Sequence, residues 1–171
     1  MKKTLLTLII LIGVTLNSFA QKADGSKFSI GIEAGLPVGD ASNISSYAIG
    51  ASLKYSHPIA DKTYFTASGG YTYFPYKNDI KIALTGLGLD KSGEGFVPVK
   101  LGVKYFITDV FYGEGQVGAA ISTESDGSTG FAYSPGIGLQ FDKALDIGVR
   151  FESWTHNSTL SQFALRLAYC F

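Results

Sequence analysis

Apolar side chains alternate with polar or small ones in eight segments between residue 28 and residue 171. In the first segment Phe28, Ile30 and Ile32 lie on one face, while Ser29 and Gly31 lie on the other. Successive side chains of a β-strand point to opposite faces, so each segment predicts a strand with one apolar and one polar face. The segments are residues 28–36, 47–55, 65–73, 97–105, 111–121, 131–141, 145–152 and 162–171. Their length of about 10 residues suits a tilted strand that crosses a bilayer.

The connections between these segments alternate in length. Those after the second, fourth and sixth strands are short: residues 58–62, 108–109 and 142–144. Those after the odd-numbered strands are longer and rich in Gly, Ser, Asn and Asp: residues 37–46, 76–95, 123–130 and 155–160. Short periplasmic turns and long external loops are typical of outer-membrane barrels. The pattern predicts an all-β, eight-stranded antiparallel up-and-down barrel; residues 80–89 are apolar enough to extend strands three and four, and their form stays open.

The two faces differ in charge as well as in polarity. The apolar face carries no charged residue in any segment, whereas the polar face carries nine: Glu33, Lys54, Lys100, Lys104, Glu114, Asp146, Arg150, Glu152 and Arg166. The interior of an eight-stranded barrel is just wide enough to be filled by side chains, so the bulky apolar face is expected outside, against lipid. Charges in a narrow interior need partners, which predicts a structural salt-bridge network in the lumen. An ion path or a ligand pocket is the alternative interpretation.

Aromatic residues and two prolines refine this prediction. Two girdles are expected, one near the periplasmic ends (Tyr55, Phe65, Tyr105, Phe111, Phe141, Tyr169) and one near the outer ends (Tyr47, Tyr73, Phe131, Tyr133, Trp154). Pro98 and Pro135 interrupt strands that need partners on both sides. Because proline lacks the N–H that a ladder requires, we expect bulges or frayed pairing at both positions.

The N-terminal residues 1–20 have the composition of a secretory signal peptide. Lys2 and Lys3 precede an apolar stretch at residues 5–16, and Ser18-Phe19-Ala20 supplies a small-x-small cleavage motif before Gln21. The stretch is shorter than the roughly 20 residues of a membrane-spanning helix. We therefore expect cleavage between Ala20 and Gln21, a single barrel domain at residues 21–171, and a location in the outer membrane. Near-equal numbers of acidic and basic residues give no sign of a nucleic-acid partner.

The C-terminal residues carry a resemblance to a known group of proteins. Phe163-Ala-Leu-Arg-Leu-Ala-Tyr-Cys-Phe171 looks like the terminal signal of bacterial outer-membrane proteins, a last strand that ends in an aromatic residue. Together with residues 97–106 and 148–151, it makes residues 27–171 similar to the eight-stranded OmpA/OmpX-type barrels, especially to short Bacteroidota proteins of the outer membrane protein beta-barrel domain family. The resemblance implies insertion by the barrel-assembly machinery, with Phe171 as part of the recognised signal. Separately, we expect a monomer whose apolar face contacts outer-membrane lipid.

Function is less constrained than fold. We expect a non-enzymatic barrel, without cofactor or metal, that acts structurally or displays loops for adhesion to an extracellular ligand. One alternative is a lipid A-modifying enzyme, because His156-Asn157-Ser158 resembles the His-x-Ser pair of lipid A deacylase barrels, although no acidic residue follows Ser158 to orient the histidine. Another alternative is a soluble periplasmic carrier of the lipocalin kind. The second histidine, His57, lies in a predicted turn far from His156 and makes no metal site with it.

Overall fold

Eight antiparallel strands follow one another around a closed barrel in chain order. The computed structural model describes residues 25–89, 91–124, 127–141, 144–155 and 159–171. The strands are β1 (Lys27–Val38), β2 (Ala48–Ala60), β3 (Thr63–Pro75), β4 (Gly93–Phe106), β5 (Phe111–Ser122), β6 (Thr129–Phe141), β7 (Leu145–Thr155) and β8 (Thr159–Cys170). The first and last strands pair, with Glu33 opposite Arg166, so the sheet has no open edge. The predicted eight-stranded transmembrane barrel is confirmed.

The two faces of the wall are inverted relative to a soluble protein. Large apolar side chains point outward and are exposed, with Ile32 at 67% and Leu36 at 61% of their possible area. Charged side chains point inward and are buried, with Arg166 at 2% and Glu152 at 1%. A continuous apolar surface of this extent is stable only against hydrocarbon. None of the described helices is long and apolar enough to cross a membrane.

Long and short connections lie at opposite ends of the barrel, called here the outer end and the inner end. At the inner end the β2–β3 turn contains a register shift between Pro58 and Ala60. At the outer end the first long connection contains the short helix α1 (Ala41–Ile44), and the second contains α2 (Asn78–Gly86). These two connections contact each other, because the backbone N–H of Lys77 donates to the carbonyl oxygen of Ile44 at 2.9 Å.

Residues 80–89, whose form the sequence left open, are helical for the most part, in α2, and do not extend the strands. Asp79 in the first turn complements the helix dipole. The helix ends in a Schellman motif at Gly88, whose φ of 77° is easily adopted by glycine. In this motif the N–H of Leu89 donates to the carbonyl oxygen of Leu84 and the N–H of Gly88 to that of Thr85. The glycine therefore sets the point at which the chain turns back toward β4.

Both prolines lie beside interrupted pairing, as predicted. Pairing between β3 and β4 passes from Gly69↔Val99 directly to Thr72↔Phe96, so Pro98 has no partner on β3. Pairing between β6 and β7 likewise has a gap from Gly136 to Tyr133, which spans Pro135. The register is the same before and after each gap, so the pairing is frayed without a bulge. On their other sides both prolines keep a partner, on β5 in each case.

Candidate functional site

All nine charged residues of the predicted network lie in the lumen, and each has at least one ion-pair partner there. The shortest contacts link four pairs: Lys54 Nζ with Glu114 Oε2 (2.5 Å), Lys104 Nζ with Asp146 Oδ2 (2.8 Å), Arg150 Nη2 with Glu33 Oε2 (2.6 Å), and Lys100 with Glu152. Arg150 also contacts Glu152 at 3.4 Å, and Arg166 lies 3.7 Å from Glu33 and 3.9 Å from Asp146. We call these nine residues the lumen network.

Strand register explains only part of this pairing. Lys104 and Glu114 are direct neighbours across β4 and β5, yet Lys104 pairs with Asp146 on β7. Glu114 pairs instead with Lys54 on β2. Long side chains thus reach across the lumen to strands that are not adjacent in the sheet, and six of the eight strands contribute a charge. The ion pairs therefore connect opposite walls of the barrel.

Neutral side chains add hydrogen bonds to the network, although Glu114 Oε1, Arg150 Nε and Arg166 Nη1 are buried without a hydrogen-bond partner among the described residues. The hydroxyl groups of Ser52 and Tyr112 donate to Glu33 Oε1 (2.5 Å) and to Asp146 Oδ1 (2.8 Å). The Gln162 amide donates to Glu152 Oε2 at 3.1 Å. Buried carboxylates are stable only when their lone pairs are satisfied in this way. Two voids of about 10 Å³ lie among these residues, which is room for about one water molecule each.

An aromatic plug formed by Phe74, Phe96 and Trp154 closes the lumen at the outer end. The three rings are 5.1 to 5.9 Å apart between centroids, and two of the pairs are edge-to-face. Such geometry is favourable for aromatic pairs. Trp154 is only 4% exposed. The prediction that Trp154 belongs to the outer aromatic girdle is therefore wrong.

The sequence contained the signal for this plug. Trp154 is in phase with Arg150 and Glu152 on β7, and the alternation that turns these charges inward turns Trp154 inward too. Phe74 and Phe96 likewise continue the inward phases of β3 and β4. The other ten residues of the two predicted girdles are exposed or half-buried on the outside of the barrel.

The outer mouth, just beyond the plug, carries a second group of polar residues. Glu94 is half-buried and accepts a hydrogen bond from the Ser122 hydroxyl at 3.2 Å. Lys91 forms an exposed ion pair with Glu124, which raises the pKa of the Lys91 ammonium. Burial raises the pKa of Tyr76, and the negative charges of Glu94 and Glu124 raise it further. Sequence reasoning did not identify this group, because its members come from different loops and strand ends.

The inner end of the barrel opens into a vestibule of about 540 Å³. Lys27, Asp61, Tyr64 and Asp109 are among the residues that line it. Just above it, Lys104 Nζ lies 3.9 Å from the centroid of the Tyr112 ring. This cation–π contact adds to the ion pair with Asp146 and closes the lumen from the inner side.

Of the other residues singled out in the sequence, the structure describes Phe171 but not the predicted cleavage site or the His-x-Ser motif. Phe171 is exposed at the inner end, where its N–H donates to the carbonyl oxygen of Phe28 at 2.8 Å and its ring packs on Tyr169. The predicted cleavage site, Ala20 and Gln21, and the His156-Asn157-Ser158 motif lie outside the described residues. Among the residues that the structure describes, no group of three or more His, Cys, Asp or Glu side chains has the geometry of a metal site.

Comparison with known proteins shows the fold. The sequence matches no protein-family model and no curated protein. Among solved structures, the chain is similar to Ail, the attachment invasion locus protein of Yersinia pestis, with 17% identity, a TM-score of 0.60, and coverage of 85% of this chain and 97% of that one. It is also similar to the outer membrane enzyme PagL, with 15% identity, a TM-score of 0.55, and coverage of 82% and 97%. The designed transmembrane barrel TMB2.3 is similar too, with 18% identity, a TM-score of 0.54, and coverage of 87% of this chain and 96% of that one. The chain thus has the fold of eight-stranded outer-membrane barrels.

Proposed function

We propose that the protein is a non-enzymatic barrel of the bacterial outer membrane that binds an extracellular partner through its outer loops. The observation that carries this proposal is the filled lumen. The lumen network and the aromatic plug leave voids of only about 10 Å³ among the described lumen residues, too small for a transported solute or for the ligand of a lipocalin-like carrier. Binding of a water-soluble partner is therefore expected at the ends of the barrel, since the apolar groove of about 540 Å³ on the outer wall faces lipid.

The outer loops have the surface of a binding element. Helix α2 buries none of its residues; Ile82 in the helix is 73% exposed, and Leu87 directly after it is 77% exposed. Exposed apolar side chains beside charged ones, here Lys77 and Lys81, are typical of protein interaction surfaces. The similarity in fold to a protein named for attachment and invasion supports the same role.

The outward apolar surface and the resemblance of residues 163–171 support a location in the outer membrane. The same terminal residues support insertion by the barrel-assembly machinery, with Phe171 in the recognised signal, and membership of the Bacteroidota outer membrane protein beta-barrel domain family. Lys2, Lys3 and the motif at residues 18–20 support export with cleavage before Gln21.

The test replaces residues 78–86 with a Gly/Ser linker in full-length protein expressed in the outer membrane. Attachment of these cells to a panel of immobilised matrix proteins, glycans and epithelial cells is compared with that of cells expressing the parent. We expect the replacement to abolish the added attachment while heat-modifiable migration in SDS, the sign of a folded barrel, persists. Attachment that is absent in the parent, or unchanged by the replacement, would refute the proposal.

Lipid A from the same cells distinguishes the enzymatic alternative. A non-enzymatic barrel leaves the mass of lipid A unchanged when it is overexpressed. Loss of one acyl chain from lipid A, abolished by Ser158→Ala, would replace the proposal with deacylation.

A further inference from the structure

The apolar groove on the outer wall of the barrel lies over β1 to β4. It runs from Phe171 at the inner end to Gly69 and Val99 in the middle of β3 and β4. Its volume of about 540 Å³ is in the range of ligand pockets in proteins. The outward residues that line it are Phe28, Ile30, Leu53, Tyr55, Ala67, Gly69, Val99, Leu101 and Phe171. We call it the wall groove.

The sequence of β3 creates this groove. Its two outward residues here, Ala67 and Gly69, are small, and a Cβ added at Gly69 would meet no atom within 4 Å. The strand register places Leu53 on one side of Gly69 and Val99 on the other. Ala67 is likewise flanked by large residues of β2 and β4. The groove therefore has a floor of small residues between two walls of large ones.

The width of the groove selects the shape of its occupant. The walls stand on β2 and β4, whose backbones are about 10 Å apart because neighbouring strands are about 4.8 Å apart. An α-helix with its side chains is about 10–12 Å wide, so it does not fit between side chains that already occupy part of this distance. A two-fold symmetric dimer through this patch would place the groove against itself and enlarge the empty space. An extended, unbranched acyl chain is the shape that fits.

The groove is continuous with the apolar surface that faces hydrocarbon. Ile30, Leu53 and Leu101 of its lining are exposed, as are the other large apolar residues of the outer wall. Lipid tails are as apolar as these side chains, so a chain gains no hydrophobic free energy when it moves from the bilayer into the groove. One lipid is therefore held in preference to others only if its polar part is bound as well.

A polar cluster at the inner end of the groove can make that second contact. The Tyr55 side chain borders the groove, and its hydroxyl donates to Ser26 Oγ at 3.2 Å. Ser26 Oγ lies 2.7 Å from His57 Nδ1, so the Ser26 hydroxyl, which accepts from Tyr55, donates to this nitrogen. With Nδ1 as an acceptor, the neutral imidazole carries its proton on Nε2. Since His57 is exposed, it presents this N–H donor to the surroundings.

We propose that the wall groove binds one glycerophospholipid of the leaflet at the inner end. An acyl chain lies over Ala67 and Gly69, and a phosphate oxygen accepts from His57 Nε2–H, a charge-assisted hydrogen bond. Tyr55 belongs to the inner aromatic girdle, and such girdles lie at the level of the lipid headgroups. Its ring therefore borders the chain while its hydroxyl orients the groups that face the phosphate. This site is separate from the outer loops and does not depend on their role in attachment.

The test uses full-length ¹⁵N-labelled protein, one copy per nanodisc, with a small fraction of phospholipid that carries a nitroxide on its acyl chain. Ala67, Ile137 and Val149 are each four residues from the inner end of their strand, but only Ala67 lies in the groove. We expect stronger broadening of the amide resonance of Ala67 than of the other two. Equal broadening at the three positions would show lipid that merely surrounds the barrel and would overturn the proposal. Loss of the excess in nanodiscs with two copies would assign the groove to a second barrel and overturn it too.

Two glycines give a matched pair of variants. Gly69→Leu extends a side chain into the groove from a position with open space, and it should abolish the excess broadening at Ala67. Gly113→Leu makes the same change at an outward glycine of β5 that also has open space but does not line the groove, and it should leave the excess unchanged. An excess that persists in Gly69→Leu, in a barrel with a folded amide spectrum, would contradict the proposed position of the chain.

The headgroup contact is tested at His57. His57→Ala removes the donor and should abolish the excess broadening, whereas His57→Gln keeps an N–H donor and should retain part of it. Nitroxide-labelled methyl stearate, which has a chain and no phosphate, should give no excess in the parent protein. Equal excess with methyl stearate and with phospholipid, or an unchanged excess in His57→Ala, would refute binding through the phosphate.

Discussion

Arg150 holds two carboxylates at once, Glu33 at 2.6 Å and Glu152 at 3.4 Å. Its position on β7 therefore links β1 to the centre of the lumen network. Replacing an entire buried ion pair with apolar residues is often neutral, whereas removing one partner leaves an uncompensated charge. Single substitutions in the network should therefore lower stability more than the replacement of whole ion pairs would.

Arg150→Ala should accordingly lower the free energy of unfolding by about 3–5 kcal/mol, because Glu33 loses its closest positively charged partner inside the lumen. The measurement is the urea midpoint of the folded barrel in lipid or detergent. Lys91→Ala removes an exposed partner from the Lys91–Glu124 pair and serves as the control, with no measurable change expected. An unchanged midpoint for Arg150→Ala would mean that the lumen network does not stabilise the barrel.

Gly138 provides a second test of packing in the lumen. A Cβ at this position would collide with the ring and hydroxyl of Tyr112, which is 2% exposed and donates to Asp146. Gly138→Ala should lower stability by about 1–3 kcal/mol through overpacking. At Gly113 an added Cβ meets no atom within 4 Å, so Gly113→Ala should have little effect. Equal urea midpoints for the two variants would show that Tyr112 is free to move.

At the scale of elements, two of the ladders, β3–β4 and β6–β7, contain a gap at constant register. Pro98 leaves the β3–β4 ladder without pairs between Gly69↔Val99 and Thr72↔Phe96. The β6–β7 ladder is interrupted beside Pro135. Backbone groups without ladder partners are costly in hydrocarbon, so each gap is a weak point of its ladder.

Amide hydrogen exchange should therefore be faster beside the gap in β3 and β4 than in the paired parts of the same strands. We expect the backbone N–H groups of residues 69–72, 96 and 97 to exchange faster than those of residues 65–68 and 101–104, since local opening is easier beside a gap in the ladder. Mass spectrometry or NMR of the folded barrel in nanodiscs measures this difference. Uniform protection along β3 and β4 would contradict the frayed pairing.

At the scale of the whole molecule, the barrel is a closed cylinder whose interior is filled from the inner vestibule to the outer mouth. Lys104 and Tyr112 close one side, the lumen network occupies the middle, and the aromatic plug closes the other side. Water-filled channels belong to barrels of about 16 strands, which have a wider interior. The small circumference and the inward charges together make this barrel a solid support for its loops.

The purified protein should consequently produce no stable conductance steps in planar lipid bilayers. An open porin of larger size is the positive control for the recording. Persistent steps of constant amplitude would show a continuous aqueous path and would contradict the filled lumen.

Strand number, strand phase and the outward direction of the apolar face were all readable from the amino-acid order, because a period of two is a local property of the chain. The same alternation along the strands puts the nine charged residues on the inward face, and it also predicts that Trp154 points into the barrel. Tertiary structure alone decided that Lys54 pairs with Glu114, 60 residues away, since pairing across a lumen depends on how the strands are staggered around the closed sheet. It also decided that Glu94, Phe96 and Trp154 share one cavity, because these residues meet only when β4 and β7 face each other across the barrel.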